Sequence, residues 1–298
     1  MRHLLLVLLV AVIVHSASIG EKINGFFNGS FVENLKNAAK VGIKKALEGT
    51  GLLKIRDKIK SLRSKIRAKL TLSKEKRAAL AEKLKNLKII KDTKGTSGDS
   101  VVDVNQKSEI GSVLYQSDIA LNAEQAQEIE DQVNEKRVKR AAFVDHHFPD
   151  TLWKDGQVFY DFYPTLGERA KQVFVLAAKA WESKTCLNFT KVDHEKYGHI
   201  DVSQFNGCWS HLGFQFGKKL QDLSVGEGCH TVGIVAHEIG HALGLYHTMN
   251  RPDRDNFITV NSDKIQPEYL DQFILYTKNI ETYGITYDYG SIMHYGAT

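Results

Sequence analysis

The sequence predicts an α+β fold: a twisted sheet and a histidine-bearing helix, preceded by a basic helical region. Three observations predict it. Charge is divided, with roughly 27 Lys and Arg against 16 Asp and Glu through Arg140 and roughly 13 against 19 after it. Beyond Leu152, strand-like and helix-like periodicities follow one another, as in a sheet covered by helices. Finally, His237 and His241 stand four apart in an apolar run, so a helix would place both on one face. The expected organisation is a leader over residues 1–18, a basic region over 19–140 and the sheet-containing domain over 141–298.

Arg2 and His3 precede the apolar run Leu4 to Val14, and the small residues Ser16, Ala17 and Ser18 follow, the pattern of a secretory signal. The run falls short of the ~20 residues of a membrane span. Export places the chain outside the cell, and it argues against nucleic acid as the partner of a net charge of +5. Asn28-Gly29-Ser30 is a glycosylation sequon.

Leu52, Ile55, Ile59, Leu62 and Ile66 form an apolar seam at three-four spacing, among many Lys and Arg. Ser73 is placed to cap a further helix through Leu80, Leu84 and Leu87. Such a block could contact anionic membranes, pair as a short coiled coil, or serve as a soluble helical region complementing the acidic half. Lys91 to about Gln106 is rich in Gly, Ser, Thr and Asp and reads as a linker. Asn122 and Gln125 make a capping-box start for a helix running to Lys136. Arg137-Val138-Lys139-Arg140 then reads as a site for a processing protease, with Ala141 as the new N-terminus.

In the acidic half, Gly156 to Phe162 reads as a strand, Leu166 to Trp181 as a helix, and His199 to Phe205 as a strand. Asn188-Phe189-Thr190 is a second sequon, so that turn should face solvent. Thr231 is positioned to cap the helix that carries the histidines. The three cysteines, Cys186, Cys208 and Cys229, all follow Arg140 and should pair in an oxidising compartment.

The chemistry lies in His237-Glu238-Ile239-Gly240-His241-Ala242-Leu243-Gly244-Leu245-Tyr246-His247. Two imidazoles one turn apart can each point a nitrogen at one Zn²⁺, at roughly 2.0–2.1 Å. Gly244 can adopt the left-handed conformation that ends a helix, and the turn can return His247 as a third ligand. Three protein ligands leave a fourth position open, as in catalytic rather than structural zinc sites. Glu238, next to the first ligand, can act as a general base without itself being a ligand. One zinc per chain is expected.

Those residues form an extended zincin signature. With Cys208-Trp209-Ser210, Arg251-Pro252-Asp253-Arg254-Asp255 and Ser291-Ile292-Met293-His294-Tyr295, the chain resembles the astacin family of metzincin metalloproteases from about Ala141 to Thr298. The resemblance implies a metzincin-type catalytic domain and hydrolysis of peptide bonds in protein substrates. It implies that Met293 packs beneath the zinc, and that Tyr295 is an additional ligand that swings away to stabilise an oxyanion. It implies a Cys208–Cys229 disulfide. It also puts the partner of Cys186 near the end of the domain, so the chain is expected to be truncated at its C-terminus.

Tyr115-Gln116-Ser117-Asp118-Ile119-Ala120-Leu121 resembles the astacin pro-segment, in which an aspartate occupies the open zinc position. Asp118 would then be the zymogen switch and residues 19–140 a pro-peptide. Two departures stand out. Ser117 replaces the family's usual glycine. Thr248 replaces the glutamate that commonly meets the ammonium of the mature N-terminus. A second reading, of another class, takes the product as a secreted basic binding peptide joined to a protease domain that no longer functions.

Overall fold

In the computed structural model of the protein, residues 52–71, 73–86, 100–112, 114–134, 150–193, 198–275 and 280–295 are described. The leader, Asn28, Arg140 and Ala141 fall outside them. Among the described residues no helix is long and apolar enough to cross a membrane.

Three helices open the described residues. α1 (Leu52–Ser61) and α2 (Arg63–Leu70) carry the expected seam, and α3 (Lys74–Asn86) follows Ser73. The Ser73 hydroxyl accepts from the Lys76 amide, as a capping residue should. Ile59, Leu62, Ile66 and Leu70 are buried, and they belong to a cluster with Tyr115, Ile119, Leu121, Ile129, Leu212, Leu270 and Ile274. The seam therefore packs within the chain rather than forming a coiled coil.

α4 (Val101–Lys107) lies where a linker is expected to reach Gln106. The expectation fails because Ser100 and Asp103 form a reciprocal capping box, which satisfies backbone amides that a linker would leave to water. α5 (Ala123–Asn134) starts as predicted: Asn122 Oδ1 accepts from the Gln125 amide, and Gln125 Oε1 accepts from the Asn122 amide.

The sheet has six strands: β1 (Ile119–Ala120), β2 (Gln157–Phe162), β3 (Asn188–Lys191), β4 (His199–Ser203), β5 (Cys208–His211) and β6 (Leu220–Val225). Their order is β1-β5-β6-β4-β2-β3. Among these six strands, β5 and β6 pair antiparallel and the other pairs are parallel. β4 is thus an interior strand. β3 forms one edge of the sheet, and at the other end the N-terminal part adds β1 to β5. Ile119 pairs with Ser210 and Ala120 with His211.

α6 (Glu168–Glu182) and α7 (Val232–Ala242) cover one face of the sheet. Val158, Tyr160, Ile200, Val202, Leu223 and Val225 meet Phe174, Ala177, Val235 and Ile239 there. Each fully buried Val, Leu, Ile or Phe contributes about 1.5–3 kcal/mol relative to exposure. Two tryptophans fasten α7: Trp153 Nε1 donates to the Ala242 carbonyl (2.8 Å) and Trp181 Nε1 to the Ala236 carbonyl (3.0 Å). A rigid, sheet-backed α7 is what places the histidines.

Candidate metal centre

Thr231 caps α7 by accepting the Ile234 amide. The helix ends at Gly244, whose φ of +97° is accessible mainly to glycine. The Gly244 amide donates to the His241 carbonyl and the Leu245 amide to the Gly240 carbonyl, a Schellman closure. The reversed chain brings His247 onto the face that carries His237 and His241. Asn250 fixes the following turn, its amide donating to the Gln272 and Ile274 carbonyls. Arg254, 1 % exposed, donates to the Met249 and Phe273 carbonyls and ties the same two segments together.

Beneath the helix lies Met293, which is buried. A Cβ on Gly240 would stand 2.5 Å from the Met293 sulfur, so glycine is what allows this close seat. The Thr248 amide donates to the Met293 carbonyl (2.8 Å).

The loop before β1 enters from the other side. Asp118 is buried and lies with His237, His241 and His247 in one group whose ligand atoms are all within 4.8 Å of one another. Its carboxylate oxygens stand 3.4 Å from His237 Nε2, 3.7 Å from His241 Nε2 and 3.2 Å from His247 Nε2. His237 Nε2 and His247 Nε2 are 3.3 Å apart. A tetrahedron with zinc-length arms has edges of about 3.3 Å, so these separations fit one ion.

Proton accounting points the same way. Nδ1 of His237 faces the Ile292 carbonyl (2.7 Å), Nδ1 of His241 the Leu245 carbonyl (2.8 Å) and Nδ1 of His247 the Gln116 side-chain oxygen (2.8 Å). All three partners are pure acceptors, so a ring holding one proton carries it on Nδ1 and presents a bare Nε2. Burial pushes His241 down, and it pushes His247 down to about 4, which keeps these rings neutral. Bare nitrogens facing a carboxylate have no proton to share, and a cation resolves the repulsion. The donor set, three imidazoles and one carboxylate, suits zinc.

Glu238 is 1 % exposed, and neither carboxylate oxygen finds a hydrogen-bond partner among the described residues. Burial and then the charge of Asp118 drive its pKa well above the ordinary value. Tyr295 packs against His247, with ring centroids 4.6 Å apart and planes tilted by 51°, and its hydroxyl donates to the Gln116 carbonyl (2.9 Å). In this form that hydroxyl is therefore committed to the Asp118 loop. Cys208 and Cys229 are joined by a disulfide; Cys186 is free and exposed. Asn188 is exposed on β3.

Sequence reasoning missed Asn105 and the side chain of Gln116. Asn105 exchanges two hydrogen bonds with the backbone of Cys208 and donates to the Ser117 carbonyl, so a side chain replaces a strand partner. Ser117 takes a φ of +76°, the conformation for which glycine is ordinarily used. Its hydroxyl accepts from Gln272 Nε2 (2.8 Å), a contact that glycine cannot make.

A family model described as Astacin, a peptidase family, matches residues 145–298, just over half of the chain. Zinc metalloproteinase nas-31 of Caenorhabditis elegans is 34% identical over 273 residues, covering 86% of this chain and 44% of the relative. Zinc metalloproteinase nas-23 of the same organism is 37% identical over 201 residues, covering 67% and 37%. The chain thus spans less than half the length of these relatives. Among solved structures, high choriolytic enzyme 1, a hatching enzyme zinc-protease from Oryzias latipes, is 30% identical, covering 54% of this chain and 77% of its own, at a TM-score of 0.44. With the family model, the histidine cluster and the helix that bears it in agreement, the chain belongs to the astacin family of zinc metalloproteases.

Proposed function

We propose that the chain is the precursor of a secreted zinc endopeptidase that hydrolyses peptide bonds in proteins and is activated by cleavage after Arg140. The observation that carries this reading is the seating of Asp118 among His237, His241 and His247, with Glu238 beside them on α7. A bound zinc would supply a Lewis acid that polarises the scissile carbonyl and acidifies a water. Asp118 fills the position such a water would need, which suits a silent precursor.

Removing Asp118 takes away one of the two influences that raise Glu238, so its pKa falls toward that of a working base. Glu238 then accepts the proton of the attacking water and returns it to the leaving amine. Tyr295, freed from the Gln116 carbonyl, has a donor to offer the oxyanion. Departure of β1 would free the β5 edge, where an extended substrate can pair by its main chain. The disulfide fits an oxidising, extracellular location.

The test is proteolysis of a denatured protein by the chain cleaved after Arg140, with bound zinc quantified and Glu238→Ala alongside. Loss of a general base should lower the rate by about 10²–10⁴-fold, with zinc content unchanged. Equal cleavage by the variant would remove the reading.

A further inference from the structure

The three imidazoles are not held alike. His237 and His241 donate Nδ1–H to main-chain carbonyls of the C-terminal part, Ile292 and Leu245. His247 donates to the side chain of Gln116, in the N-terminal part. Gln116 is fully buried. Its amide nitrogen meets three oxygens: the Tyr115 hydroxyl (3.2 Å), the Asp271 carbonyl (3.5 Å) and the Gln272 carbonyl (3.4 Å). Those acceptors orient the amide with nitrogen outward, so it is the oxygen that faces His247.

The backbone here is costly. Gln116 and Ser117 have φ of +49° and +76°, a region that charges a non-glycine residue about 1–2 kcal/mol. Four hydrogen bonds hold it: Tyr295 to the Gln116 carbonyl, Asn105 to the Ser117 carbonyl, Gln272 to the Ser117 hydroxyl, and His247 to the Gln116 side chain. Two of the four come from residues beside the metal cluster.

We infer that Gln116 is a positioning residue of the metal centre: by holding Nδ1 of His247 it aims the third ligand, so the centre binds its metal most tightly while the N-terminal segment is seated. The inference rests on the zinc reading of the cluster. The segment then supplies both an inner carboxylate, Asp118, and an outer acceptor, Gln116. The precursor becomes the form that acquires the metal. Release of the segment lowers metal affinity by more than the loss of one carboxylate, because His247 is left to rotate until another acceptor takes its Nδ1–H. Outer partners of this kind change metal affinity by about 10–100-fold.

The experiment measures zinc affinity by chelator competition on the uncut full chain. Gln116→Leu, which keeps the bulk and removes the acceptor, should weaken zinc about 10–100-fold. Gln116→Glu, which keeps an acceptor for His247 but sets its second oxygen against the Asp271 and Gln272 carbonyls, should restore part of that loss. The decisive comparison is made in an Asp118→Ala background, where the inner carboxylate is already gone. There Gln116→Leu should still weaken zinc about tenfold or more. If its effect vanishes in that background, Gln116 acts only by seating Asp118 and the inference fails. It fails equally if Gln116→Leu stays within twofold of the parent while Asp118→Ala alone weakens binding. A parent chain that takes up no zinc would instead overturn the zinc reading itself, a result separate from either of these. Thermal unfolding of the zinc-free variants shows whether each has folded, and Gln116→Glu carries the comparison should the leucine variant not fold.

Discussion

The described residues form two buried clusters, and these differ in which part of the chain owns them. The first joins the sheet to α6 and α7 and is built almost wholly from residues 153–242; Val104 is its single N-terminal member. The second is shared. Ile59, Leu62, Ile66, Tyr115, Ile119, Leu121 and Ile129 come from before the proposed processing site, and Leu212, Leu270 and Ile274 from after it. The histidines of α7 are backed by the owned cluster, whereas Asp118 is backed by the shared one. The N-terminal segment is thus fastened by apolar burial over many residues, and its carboxylate is only the tip of that attachment.

Truncation in either cluster puts the comparison at risk. Ile239→Ala and Ile66→Ala should each destabilise the uncut chain by about 2–5 kcal/mol, since both side chains are buried. Hydrogen exchange should separate them. Ile66→Ala is expected to speed exchange across residues 115–121 and leave α7 protected, and Ile239→Ala to loosen α7. Equal loosening of both regions by Ile66→Ala would mean one cooperative core rather than two.

A smaller effect tests how the shared side stores strain. At the φ of Ser117, glycine should be more stable than alanine by about 1 kcal/mol. Neither substitute makes the bond to Gln272, so the difference between Ser117→Gly and Ser117→Ala isolates the backbone. Unfolding temperatures of the two variants decide it, and alanine equal to glycine would remove the strain argument.

The smallest expected effect belongs to the owned side. Asp161, Asp201 and Asp222 stand in register across β2, β4 and β6. Burial, and then the charge of Asp201, raise Asp222 to about 6. A carboxyl whose folded pKa lies above its unfolded value favours the fold below the unfolded pKa and loses that advantage as pH rises through 6. Asp222→Asn should therefore raise the unfolding temperature at pH 7.5 by about 1–3 °C, and change little below pH 4. The shift should be the same with the N-terminal segment present or removed; a shift confined to the uncut chain would tie this face to the shared cluster.

What the sequence made legible follows the reach of local geometry. His237, Glu238 and His241 were readable because one helical turn fixes their relation, and His247 because a glycine closure fixes the next step. Asp118 came from a motif. Asn105 and Gln116 carried no such signal: their partners lie 103 and 131 residues away, and no periodicity links them. α4 was hidden by a Gly- and Ser-rich surrounding, although Ser100 and Asp103 spelled out its cap. Strand order is likewise a long-range property. His199 to Phe205 reads as a strand, but nothing local shows that it lies inside the sheet or that β1 covers β5.

The shared cluster also bears on what a cut after Arg140 would accomplish. Cleavage removes a tether and leaves every buried contact in place. While the tether is intact, the two parts see each other at an effective concentration on the order of millimolar. After the cut, separation is governed by mass action. Silence would then persist where the protein is concentrated and end where it is diluted, which turns a chemical event into a spatial one. Activity followed after complete cleavage should rise with a delay and reach a higher fraction at greater dilution. Full activity at once, at every concentration, would show that the cut alone suffices.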